Sequence, residues 1–113
     1  MTYTGPTTMG APVATHASTY AYGFLVVEPD EFLKLLDRKE KEKTVVILVR
    51  QWVGVINRRE VYTYITRYGE FTVVTRSETL LPLPSGTEVI EAKKLVLPSP
   101  VETTLASIAK HSR

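Results

Sequence analysis

The first 27 residues contain no Asp, Glu, Lys or Arg, and all 26 charged side chains lie between Glu28 and Arg113. The chain therefore reads as a neutral leader followed by a charged body that folds. The body supplies about 90 residues, which is one domain and one modest core, with a net stability of only a few kcal/mol. Hydrophobic residues make up 43% and charged residues 23% of the chain, the balance of an ordinary globular domain rather than a disordered or fibrous one. A formal net charge of +2 is too small to indicate a nucleic-acid binder by itself.

Cysteine is absent, which excludes a disulfide framework, a thiolate zinc site and a cysteine nucleophile. The longest apolar runs, residues 24–27 and 45–49, are much shorter than the roughly 20 residues of a membrane span. The N-terminus has neither a basic region nor a continuous apolar stretch of the signal-peptide kind. The expectation is a cytoplasmic protein without a membrane role.

Residues 1–22 are built from Thr, Ala, Gly, Pro and Tyr, with Gly5-Pro6, Gly10 and Pro12 interrupting any helical or strand period. Such a segment has too little apolar surface to offset the entropy of ordering itself. Tyr3, Tyr20 and Tyr22 nevertheless offer rings to a partner, so the segment is expected to be a flexible or partner-bound extension. The single domain is then expected over residues 23–113.

Within that domain, residues 24–27 (FLVV) read as a buried strand. Glu28-Pro29-Asp30-Glu31 reads as a helix start, with Pro at the first position and acids facing the positive end of the dipole. Phe32, Leu35 and Leu36 form its apolar face, and the Lys/Glu alternation of residues 39–43 closes it. That density of Lys and Glu is a weak thermophile signature.

Residues 44–49 (TVVILV) form the strongest strand signal, and residues 52–56 continue it as one bent strand or a second strand after a bulge, with Gly54 allowing the bend. Residues 57–69 fit two readings. As a helix they carry Asn57 as N-cap and Gly69 beyond the C-terminus; as a strand they carry six β-favouring residues from Val61 to Thr66, and the strand is favoured. Residues 71–76 alternate as a strand, residues 80–84 are held extended by Pro82 and Pro84, and residues 88–97 form a last strand. Ser99-Pro100-Val101-Glu102 begins a C-terminal helix.

The order predicts a small α+β domain. It has a mostly antiparallel sheet, a β-meander of SH3-like type, with one N-terminal and one C-terminal helix. In general character this basic, aromatic meander is similar to small SH3-like and ribosomal accessory proteins, without a motif that would carry residues across.

Chemistry is sparsely represented. His16 and His111 are the only histidines, each near a terminus, so His alone cannot supply a metal site. The glycines are isolated, which leaves no phosphate-binding loop. No catalytic residue, cofactor, metal or small-molecule substrate is expected, and the chain is not read as an enzyme.

One local pattern stands out. Residues 44–77 hold five Arg against two acids, Glu60 and Glu70, a net of +3 with no Lys. Arg50, Arg58, Arg59, Arg67 and Arg76 are interleaved with Trp52, Tyr62, Tyr64, Tyr68 and Phe71. Arg with aromatic rings serves phosphate contact and base stacking on β surfaces. The leading expectation is a small accessory RNA-binding protein of a ribonucleoprotein such as the ribosome. It would contact rRNA and neighbouring proteins through those five Arg and Tyr62, with Tyr3, Tyr20 and Tyr22 on the extension. The same residue types anchor protein interfaces, so the alternative is a protein-interaction module, a homo-oligomer or an adaptor subunit, without nucleic acid. In the plainest reading Arg50 and Arg76 are solvated while Trp52, Tyr64 and Phe71 fill the core.

Overall fold

The computed structural model describes residues 18–39 and 44–111. Its elements are β1 (Ser18–Ala21), β2 (Phe24–Val27), α1 (Pro29–Arg38), β3 (Thr44–Val53), β4 (Arg59–Tyr68), β5 (Phe71–Ser77), β6 (Thr87–Ala92) and α2 (Ser99–His111). The six strands form one sheet in the order β1-β2-β5-β4-β3-β6.

The α+β class holds, but the SH3-like meander does not. β1 and β2 form an antiparallel hairpin and β3, β4 and β5 an antiparallel run, but β2 lies parallel to β5, and β6 parallel to β3. The connections explain the difference. α1 carries the chain from β2 across to β3, and residues 78–86 carry it from β5 past two strands to the far side of β3. A crossover returns the chain in its original direction, whereas a tight turn reverses it.

Period-two alternation then assigns side chains to two faces. On one face Val27, Val46, Leu48, Tyr64 and Val73 meet Phe32 and Leu36 of α1, with Leu81 and Leu83 of the crossover packed beside them. On the other, Val26, Ile65 and Val74 meet Val101 and Leu105 of α2. The two helices thus cover opposite faces.

Several boundaries differ from the sequence reading. Residues 18–21 pair with β2, so the sheet begins before Gly23; Tyr22 and Gly23 form a two-residue hairpin turn with φ of 54° and 83°. Left-handed φ at both central positions matches the twist of the flanking strands, so this turn closes the hairpin although Tyr22 is not a glycine. Within residues 57–69 the chain forms strand β4, Arg59–Tyr68, rather than a helix, as favoured. β3 ends at Val53 and not at Ile56, and β6 ends at Ala92 and not at Leu97. Residues 1–17, including Tyr3 and His16, and the Lys/Glu segment 40–43 lie outside the described residues.

Tyr64 shows how the α1 face is locked. Its ring is buried against Phe32 at 6.0 Å, and its hydroxyl accepts a hydrogen bond from the Leu81 backbone N–H at 2.9 Å. Burial pushes its ionisation above the usual tyrosine range, and the bond from Leu81 opposes that only in part. A raised folded-state value means that stability is intact below the ordinary value of about 10 and is lost as pH rises through the folded value. Alkaline titration is therefore expected to ionise Tyr64 late, as the fold opens. Loss of the far-ultraviolet circular dichroism signal should then coincide with a late phenolate absorbance step. Tyr62 also ionises above its ordinary value, so Tyr64→Phe should remove only the part of that step that coincides with unfolding; a coincident step of undiminished size would place the coupled titration elsewhere.

Candidate functional site

The turn between β3 and β4 is the most exposed apolar part of the described structure. Val55 is 95%, Ile56 90% and Trp52 60% exposed. Gly54 sets its shape: its φ is +96°, and a Cβ there would lie 2.7 Å from the Asn57 carbonyl oxygen. The chain folds back so tightly that a side chain would force the turn open. Val55 and Ile56 are held outward at its tip and cannot continue the strand.

Beside this tip, the Arg58 guanidinium lies 5.6 Å from the centre of the Trp52 ring, and the two residues line a surface depression of 340 Å³. A second cleft of 220 Å³ at the root of the turn is lined by Val53, Asn57, Arg59 and Ala106, among others. Trp52 and Phe71 are therefore surface residues, contrary to the core role the plainest reading gives them. Of that trio only Tyr64 is buried.

The five arginines do not form one basic surface. Arg50 lies beside the Tyr62 ring at 5.8 Å and is paired with Glu91 of β6, which raises its already high ionisation value through a hydrogen bond and charge attraction. The Tyr62 hydroxyl donates to Glu60 at 2.8 Å, and that bond to the carboxylate holds its ionisation above the ordinary value. Arg59 pairs with Glu78 at 3.0 Å. Arg67 lies on the α2 side of the sheet, and its backbone carbonyl accepts from the Lys39 ammonium at 2.9 Å. Arg58 is exposed at the tip.

Arg76 is 3% exposed. Its guanidinium donates to Thr63 Oγ1 at 2.8 Å and Gln51 Oε1 at 3.1 Å, and it meets both oxygens of Glu102 on α2, at 3.1 and 2.8 Å. It joins three strands to a helix and has no surface to offer a phosphate, so it leaves the list of binding residues. The counter-ions Glu78, Glu91 and Glu102 could not be found by sequence spacing, because they lie 19, 41 and 26 residues from their arginines. Only the crossover and α2 bring them near.

Tyr20 sets its ring edge-on to Phe71 at 5.7 Å and 83°, so one ring of the extension already has a contact within the chain, while Tyr22 is exposed. Among the described residues, no three His, Cys, Asp or Glu side chains stand together as a metal site. No helix among them is long and apolar enough to cross a membrane. Neither a family model, nor a curated protein, nor a solved structure matches the chain.

Proposed function

We propose that the chain is a non-catalytic protein-interaction module, an adaptor or structural subunit, that engages its partner with the β3–β4 tip. The carrying observation is the tip itself: Trp52, Val55 and Ile56 held out on a constrained turn with Arg58 against the indole. Tryptophan and arginine dominate interface energies, and apolar side chains that gain nothing in water gain most from a partner's apolar cleft. The pairing of Arg50, Arg59 and Arg76 with carboxylates weighs against the RNA-binding expectation, since each pair would have to break before a phosphate could take the carboxylate's place. The RNA reading keeps one support, the exposed Arg58–Trp52 stack, which a nucleobase could extend.

A triple variant, Trp52→Ala, Val55→Ser and Ile56→Ser, is expected to fold with nearly unchanged thermal stability, because the three side chains are exposed. Its affinity for a partner trapped by a photocrosslinker at position 55 should fall by roughly 30-fold or more, the scale of losing a tryptophan hot spot. Binding should survive nuclease and change little with salt. If the trapped species is nuclease-sensitive, and filter binding to structured RNA shows a steep negative slope of log affinity against log salt, RNA is the partner instead.

A further inference from the structure

The sheet ends at β6 without the proline, glycine or bulge that commonly keeps an edge strand from pairing, although Glu88 and Glu91 lie on it. Over Thr87–Ala92 there is no proline or glycine, and the pairing with β3 runs in unbroken register from Thr44–Thr87 to Val49–Ala92. Among the described residues no strand lies on the outer side of β6, so every second residue turns its N–H and C=O outward. The opposite edge, β1, is only four residues long. Val89 and Ile90 stand 44% and 48% exposed on the two faces of β6.

The rows of the sheet show what this edge would extend. In register across the sheet lie Val26, Val74, Ile65, Ile47 and Ile90, all on the α2 face. α2 covers the first three, while Ile47 remains 38% exposed and Ile90 is more open still. With Val45 and Ile65, Ile47 also lines a surface groove of 370 Å³. An apolar row thus runs uncovered to an unpaired edge.

We infer that β6 is a self-association edge, and that two copies pair their β6 strands antiparallel about a two-fold axis through Ile90. A two-fold axis perpendicular to the sheet keeps each face in common, so only residues of equal parity can stand opposite one another. Centring on Ile90 places it against Ile90 of the second copy and continues the apolar row from one sheet into the other. In that register Glu88 faces Ala92, Val89 faces Glu91 and Thr87 faces Lys93, with no like charges opposed. Centring on Glu91 would oppose two carboxylates, a costly cross-strand pair. A second copy supplies both the missing hydrogen-bonding edge and the apolar cover, which a globular partner of other shape supplies less well. Because β6 is parallel to β3 and the copies are antiparallel, the two β3–β4 tips point to opposite ends of the joined sheet.

The chain has no cysteine, so an introduced one reports its own position. Opposed Cα atoms of an antiparallel pair are about 4.5–5.5 Å apart, within disulfide range. Ile90→Cys should therefore form a covalent dimer on mild oxidation, and Val55→Cys at the tip should not. In sedimentation equilibrium on the order of 100 µM, where mass action favours any real dimer, the wild-type chain should show twice its 12.7 kDa mass. Ile90→Lys, which sets two ammonium groups at the axis, should return it to a folded monomer. A wild-type monomer, a dimer that survives Ile90→Lys, or faster cross-linking at position 55 than at position 90 would each overturn the inference. The tip variant of the preceding test should leave the dimer intact, so the two proposals fail separately.

Discussion

Arg76→Ala is expected to lower the unfolding free energy by about 2–4 kcal/mol, the scale of removing a buried side chain with several hydrogen bonds, its carboxylate partner Glu102 being half exposed, and urea denaturation should show the loss. The substitution takes the bidentate partner from Glu102 and leaves Thr63 Oγ1 and Gln51 Oε1 without their shared donor in a buried space. It also cuts the one described ion pair that ties α2 to β5. Arg76→Lys should recover part of the loss, since an ammonium keeps the charge but lacks the planar fork that reaches two acceptors and a carboxylate at once. For comparison, Arg58→Ala removes an exposed guanidinium and should change stability by well under about 1 kcal/mol. If Arg76→Ala cost as little as Arg58→Ala, the guanidinium would not be a structural element and would return to the candidate surface.

Phe32→Ala should cost a similar amount, about 3–5 kcal/mol, through a cavity rather than a charge. Phe32 is fully buried, lies between α1 and the sheet, and touches the Tyr64 ring. α1 has no side-chain cap at Glu28, so its stability depends on this buried face more than on its own ends. For a chain of this size the loss approaches a large part of the total stability, and the melting temperature should fall by well over ten degrees. Phe32→Leu, which keeps most of the volume, should lose much less. An equal loss in both variants would argue that the ring contact with Tyr64, rather than the filled volume, is what matters.

Neither effect could have been ranked from the residues alone. Phe32 was legible as a core residue because Phe32, Leu35 and Leu36 share a helical face. Arg76 was not, because an arginine in an alternating strand reads as solvent-facing unless something covers it, and its cover is α2, 26 residues on. The same limit applies to Trp52, whose apolar ring suggested burial. Its place at the open end of β3, beyond the reach of α1, left it exposed.

Local physics in the sequence determined the element types. β-branched runs made strands at 24–27, 44–49, 61–66 and 71–76, prolines at 29 and 100 opened helices, and prolines at 82 and 84 kept the chain extended. Each of these depends on a residue and its near neighbours. Strand order, parallel pairing and the fate of the arginines depended on where two crossovers place distant segments, and no local propensity encodes that. The tertiary structure alone decided that Glu78, Glu91 and Glu102 neutralise three arginines, that Val55 and Ile56 stand out on a turn, and that β6 is the last strand of the sheet among the described residues. An ion pair or an open edge is a relation between segments far apart in the chain, and it exists only once the chain has closed around them.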